Sequence, residues 1–409
     1  MSGRREPVAV VAAGLKAPGG SCPDELWQAL CAGRSFAEPF VDDRLGDVGV
    51  LVSRAAGFDP VEYLSVPEQR RLDRSQQLAI GAAQDALAGL PAQLPPAQRC
   101  AVVCGVGFGA AATHEAALSA LTATGLHALN PLTAPILMPN SAAALLAIRF
   151  GFTGPNLTVA AACAAGTAAI GEGAELLRRG AADLVLAGGV DSLVNYSSLC
   201  AFLRLDAMTR RCDEPETASR PFDLHRDGFL MGEGAGFVVL QRLSAVRQAP
   251  LGLIVGYGNC TDAYSLVAPA PDGNGALRAM RLALADAGVP CSAVSHVSAH
   301  GTSTRLNDLA EAAALAALFG SSTPPVTAIK GSTGHLIGGA GAVATIMALC
   351  SLRHHQVPPI AGLHTVDPAI RIDAVRGQPR PIGAGYGLVN AFGFGGLNTS
   401  LLVAGPPLD

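Results

Sequence analysis

The chain has 409 residues, half of them hydrophobic, with 48 glycines, 5% aromatics and a net charge of −4. That length exceeds one small core and predicts two halves, while the hydrophobicity excludes a disordered chain. The charge argues against nucleic acid as a partner, and ten cysteines without C-x-x-C pairs or His/Cys metal spacing read as reduced thiols of a cytoplasmic protein with no metal centre.

Residues 7–14 predict the first buried strand. This apolar run is too short to span a membrane and lacks a signal-peptide layout, so a soluble protein without membrane contact is expected. A helix follows over 22–33, with Leu26, Trp27 and Leu30 on one face. Residues 34–65 read as irregular. Residues 69–87 have helical periodicity, and Arg70, Arg71 and Arg74 give the start of that helix a small basic face, suited equally to docking and to plain solvation. Residues 100–109 read as a strand running into a G-x-G turn. No P-loop lysine or ribose-binding acid accompanies it, so a nucleotide site is not indicated. A helix is expected at 140–150.

The next stretch centres on Cys163. The β-branched run 156–160 reads as a buried strand, and a helix follows from Gly166 to Arg179, ended by Gly180. A thiol at that junction faces unpaired backbone N–H groups and the positive end of the helix dipole. At about 0.3–1 kcal/mol, or ~2 in a buried site, the dipole predicts a thiol lowered by roughly one unit, from ~8.5 toward ~7.5. The alternative is a small core cysteine.

A strand at 182–189, a loop-rich stretch at 190–215, and a short strand at 237–240 behind the glycine-rich 228–236 complete this part. A second series begins near residue 251, with strands at 251–257, 294–299, 326–329 and 399–403. Helices are expected at 275–288, 308–319 and 337–352, with a loop at 330–335. Alternating strands and helices predict mixed α/β sheets covered on both faces, divided into residues 1–250 and 251–409. The two series share an element order, without a sequence-level repeat. Cys163, His300 and His335 all fall at strand-to-loop ends, which gather at one crevice in α/β folds. The glycine-flexed Phe392-Gly-Phe394-Gly-Gly396 suits a mobile gate or a backbone donor.

Blocks 158–166, 300–304 with Glu311, 330–335 and 390–398, together with 221–229 and 232–236, resemble the signature blocks of the β-ketoacyl-acyl carrier protein synthases. The likeness is to the elongating type, the bacterial fatty-acid enzyme II and the polyketide ketosynthases, and it spans nearly the whole chain. Residues 17–20, Leu26-Trp27 and 32–34 resemble the polyketide members more. The resemblance implies the thiolase fold, two related α/β halves in five αβαβα layers. It also implies a dimer, either homomeric or paired with a chain-length factor. The implied reaction is a decarboxylative Claisen condensation between an acyl-Cys163 thioester and a malonyl-acyl carrier protein, in fatty-acid or, preferably, polyketide synthesis. No cofactor is implied beyond the phosphopantetheine arm of the carrier.

The resemblance also assigns residues. Cys163 is the nucleophile. His300 and His335 donate Nε2–H bonds to an enolate, where one donor is worth roughly 3 kcal/mol. Lys330 positions and supplies field, paired with Glu311. The N–H groups of Cys163 and Phe394 form the oxyanion hole, and Phe394 is the gate. Thr302, Glu311 and Phe392 support the site. Phe108 and Phe202 line the acyl pocket, with Phe108 shortening it. Arg70 and Arg71 dock the acidic carrier protein. Two positions depart from the family pattern: Ala344 stands where many relatives carry a glutamate, and Asp206 where a further basic residue is expected, with Arg204 displaced. Three other readings are weighed. A thiolase would want a second cysteine in 390–398, and an initiating synthase an asparagine at His335. A chain-length-factor-like subunit without catalytic activity would lack Cys163, although a degenerate member could keep it.

Overall fold

The computed structural model describes residues 5–90 and 93–407. Five principal strands build the first half: β1 (Val8–Lys16), β2 (Cys100–Val106), β3 (Asn156–Ala160), β4 (Leu184–Ser192) and β5 (Met231–Arg242). Helices α1 (Arg74–Ala88), α2 (Ser141–Phe150) and α3 (Ala165–Arg178) follow β1, β2 and β3. The second half repeats the series with β6 (Gly252–Thr261), β7 (Val294–Ser298), β8 (Val326–Thr327), β9 (Tyr386–Gly393) and β10 (Leu397–Ala404). Its helices are α4 (Asn274–Ala287), α5 (Arg305–Phe319) and α6 (Ala340–His354).

Strand order in space is β3-β2-β4-β5-β1 in the first half and β8-β7-β9-β10-β6 in the second, the same permutation. Directions repeat too. β2 and β7 lie parallel to both neighbours, and the last two pairings of each half are antiparallel. Topology thus shows a duplication that the residues do not. Many apolar sequences satisfy one strand-helix frame, so the frame outlasts sequence likeness. The halves join where β1 pairs antiparallel with β6 through Val8–Ile254, Ala9–Leu253 and Val10–Gly252.

Helices α3 and α6 form the middle of five layers. Val8, Val10, Val103, Val185 and Val238 of the first half pack with both of these helices and with Val389, Leu401 and Val403 of the second half in one core. Helices α1 and α2 cover the outer face of the first half, and α4 and α5 that of the second. A central helix is buried on every side, and residues 340–352 of α6 are all buried. Glycine permits its crossing with α3, since a Cβ at Gly341 would lie 2.0 Å from Thr167 Oγ1. Residues 337–354 are long and apolar enough to cross a membrane, yet 89% of that stretch is buried, packed between the two halves.

Several expectations are corrected. The helix expected over 69–87 is two, Val66–Arg71 and α1. Leu72 is extended, and Asp73 caps α1 by accepting the Ser75 N–H at 2.9 Å. Arg74 leaves the basic face and pairs with the buried Glu233 at 2.9 Å. The short strand expected at 237–240 is the twelve-residue β5, which takes in the glycine-rich stretch from Met231 onward. Its glycines admit close backbone, as a Cβ at Gly232 would lie 2.7 Å from Thr333 O. The stretch 190–215 contains the helix Tyr196–Arg204, and residues 330–335 contain the short helix Lys330–Thr333. Helices Ala111–Thr124 and Thr133–Leu137 lack any clear apolar face and were not expected. Strand β3, expected to be buried, is a partly exposed edge paired only to β2.

Candidate active site

Cys163 sits where β3 turns into α3. The turn is sharp: Ala162 holds φ at 47°, a left-handed conformation disfavoured for a side-chain-bearing residue. Residues Ala162–Ala164 form a tight turn, and the α-helix begins at Ala165. Cys163 is buried, and burial pushes its thiol up to about 12. The Lys330 charge and the N–H groups of Phe394 and Cys163 pull the other way, whereas Asp191 adds to the rise. The lowered thiol expected from the helix dipole is therefore reversed. A dipole worth about 1 kcal/mol does not offset the desolvation of a thiolate in a closed pocket.

His300 follows β7, and the turn beyond it uses Gly301 and Ser303 at positive φ (42° and 68°). Lys330 Nζ donates to the His300 carbonyl oxygen and stands 3.3 Å from His300 Nδ1. An ammonium can only donate, so Nδ1 accepts and the imidazole proton lies on Nε2. His335 is held against β5 through its N–H to Leu230 O at 2.7 Å and through the Gly232 N–H donated to its own carbonyl at 3.0 Å. Its Nδ1 accepts the Ile337 N–H at 3.1 Å, which again leaves the proton on Nε2. The two rings meet edge to face with centroids 5.6 Å apart. Burial drives both histidines well below the usual value, and the Lys330 charge adds to the effect. Both are thus neutral donors.

Lys330 and Glu311 are fully buried, and burial lowers the lysine and raises the carboxyl. The Glu311 charge still holds the lysine up, as the expected pairing requires, but no hydrogen bond or salt bridge joins the two directly. Glu311 accepts from the His300 N–H (2.8 Å), the Gly301 N–H (2.8 Å) and the Asn390 side chain (3.2 Å), while Lys330 is spent on His300. Glu311 therefore shapes the His300 turn, and Lys330 sets the His300 tautomer.

These groups open on one cavity of about 260 Å³, lined by Cys163, His300, His335, Phe202, Phe229 and Phe394. Thr302 and Thr304 also line it, their hydroxyls 2.9 Å apart. Phe392 packs 5.6 Å from the His300 ring, and Phe394 stacks on Phe202 at 6.3 Å. Gly393 brings the Phe394 backbone onto the nucleophile: a Cβ there would lie 3.2 Å from Cys163 N and 2.8 Å from Ala161 O. Leu205, Asp206, Asp262 and Arg305 line the same cavity. Arg70 and Arg71 lie exposed on the helix Val66–Arg71 and are not part of the cavity wall. Phe108 is also outside that wall and 59% exposed, so it does not shorten the cavity of the single chain. Ala344 is buried in α6.

Two contributors went unassigned from sequence. Phe229 packs edge-on to His335 at 5.2 Å, and Asn390 holds Glu311. Both lie inside quoted blocks, but neither ring nor amide carries a chemical signal by itself. Among the described residues, no group of three His, Cys, Asp or Glu is placed to hold a metal ion. The chemistry available is a nucleophilic sulfur beside two sets of donors, one of backbone N–H groups and one of imidazole N–H groups. Each set is positioned to stabilise charge developing on a carbonyl oxygen.

The chain is matched over residues 5–245 by the family model described as beta-ketoacyl synthase, N-terminal domain, and over 251–364 by that of the C-terminal domain. It is 36% identical over 405 residues to a 3-oxoacyl-[acyl-carrier-protein] synthase 2 of Synechocystis, covering 97% of both chains. A crystal structure of a beta-ketoacyl synthase from Burkholderia phymatum superposes with a TM-score of 0.91 at 30% identity, covering 98% of this chain and 99% of that one. A ketosynthase bound to a hexaketide, in complex with its type II PKS acyl-carrier protein, gives 0.90 at 25% identity, covering 98% and 100%.

Proposed function

The chain belongs to the β-ketoacyl synthase family, and on that premise we propose how its cavity performs an elongating condensation. The observation that carries the reading is one cavity holding the Cys163 sulfur, two imidazoles protonated on Nε2 and the Phe394 N–H. In acyl transfer, the Cys163 sulfur attacks the thioester carbonyl of an acyl carrier protein. The new C–S bond forms, the carrier's C–S bond breaks, and the thiol proton ends on the departing carrier sulfur. The N–H groups of Cys163 and Phe394 hold the oxyanion of that step.

A malonyl group on a second carrier then loses CO₂, and the C–C bond electrons become an enolate. Its oxygen takes both Nε2–H bonds. The α-carbon attacks the Cys163 thioester and expels the sulfur, which takes up one proton, leaving a β-ketoacyl chain on the carrier. Neutral histidines suit this sequence, because the step needs donors and no general base.

The substrates ride on phosphopantetheine, whose amides suit the Thr302 and Thr304 hydroxyls, and no further cofactor enters the reaction. We infer a polyketide setting from the residues that resemble polyketide ketosynthases, from Ala344, and from likeness to a ketosynthase carrying a hexaketide. The exposed edge of β3 and the exposed Phe108 and Ile148 support pairing of two chains on that side, with a second copy or a homologous subunit. A soluble, cytoplasmic enzyme fits the burial of its longest apolar helix. Arg70 and Arg71 remain exposed and open to the carrier. Intact-protein mass spectrometry with a panel of acyl carriers tests the function. The chain should gain one acyl mass on Cys163 and convert malonyl carrier to β-ketoacyl carrier. A Cys163→Ala variant that still acylates and condenses would refute the assignment.

A further inference from the structure

Asp191, near the end of β4, is fully buried, and among the described residues no cation pairs with it. Instead it accepts four backbone N–H groups. Oδ2 takes those of Gly107 at 2.7 Å and Gly338 at 2.8 Å, and Oδ1 takes those of Phe108 at 3.2 Å and Gly109 at 2.9 Å. The donors come from both halves of the chain: the loop after β2, and the turn that follows His335. The fit is close. A Cβ at Gly107 would lie 2.5 Å from Ile337 Cγ2 and 2.8 Å from Asp191 Oδ2, and one at Gly338 would lie 2.6 Å from that oxygen. Ile337, held at a positive φ of 49°, donates the bond that orients His335 and also lines the cavity.

We propose that Asp191 is a positioning residue of the condensation: its carboxylate locks the loop 107–109 to the turn 337–339 and so aims the His335 N–H. The proposal rests on the condensation reading. Four donors require an acceptor with lone pairs on both oxygens, which a carboxylate offers and an amide does not. Burial raises Asp191 to about 6, so it is ionised at pH 8.

The test uses the full-length protein and its Asp191→Asn and Asp191→Glu variants at pH 8. Three quantities are read: single-turnover acylation of Cys163 by an acyl carrier, CO₂ release from malonyl carrier, and melting temperature. Asp191→Asn should release CO₂ at least about tenfold slower, as for a displaced catalytic donor. Its acylation should stay within about threefold of wild type, because that step uses the N–H groups of Cys163 and Phe394. Asp191→Glu keeps the charge with a longer arm, so it too should acylate like the wild type and decarboxylate slowly. A loss confined to decarboxylation is what a merely structural role would not give. Acylation and decarboxylation falling together, or decarboxylation unchanged in either variant, would overturn the proposal. Should Asp191→Asn not fold, Asp191→Glu decides on the same criteria. A wild type that acylates but never condenses would instead sink the function proposed above.

Discussion

Replacing His335 with alanine separates the two sets of donors. The ring is buried, its Nδ1 is committed to Ile337, and its Nε2–H is the group left to face substrate. One preorganised donor in a dry site is worth about 2.7–4 kcal/mol, and at 1.36 kcal/mol per tenfold the loss is about 100- to 1,000-fold. That loss belongs to malonyl decarboxylation and to condensation. Acyl transfer uses the N–H groups of Cys163 and Phe394, so it should stay within about threefold of wild type. The truncation also leaves the Ile337 N–H without its partner, a stability cost of about 1–3 kcal/mol, so the melting curve must be recorded beside the rates. Single-turnover acylation by mass spectrometry and CO₂ release from malonyl carrier give the two numbers independently. Decarboxylation persisting at the wild-type rate, or acylation falling by the same factor, would refute the division of labour.

Three more outcomes follow from the geometry. Alkylation of Cys163 should climb about tenfold per pH unit from 7 to 10 without a plateau, because the thiol is pushed up to about 12; a plateau near pH 8 would mean a thiolate preformed by the helix dipole. Lys330→Met removes a charge that lowers both histidines, so their folded values rise and the acid limb of decarboxylation should move to higher pH; an unmoved limb would assign the lowering to burial alone. Phe108→Ala should leave the preference between four-carbon and twelve-carbon acyl carriers unchanged, as the ring lies outside the cavity; a shift toward the longer chain would show that it reaches the acyl group.

The meeting of Cys163, His300 and His335 in one cavity was legible because each is a reactive side chain in a small-residue loop at the end of a predicted strand. Helix α6 was legible to within about three residues at either end, since residues 337–352 are apolar but for Thr345 and Ser351. What they share was not legible. That Lys330 bonds to His300 and not to Glu311 depends on the His300 and Gly301 N–H groups occupying the carboxylate. The outward ring of Phe108 depends on a loop fastened by Asp191, 83 residues away.

By itself the sequence determined local matters: where strands end, which residues are small enough for a central helix, and which side chains bear chemistry. Tertiary structure alone decided the rest. The acidity of Cys163 is set by how completely the pocket excludes water, which depends on both halves closing over it. The duplication is visible only as strand order, because pairing across a sheet is a long-range choice that no window of residues contains. The tautomers of His300 and His335 come from donors that their own segments do not reveal, an ammonium 30 residues on and a backbone N–H on a left-handed turn.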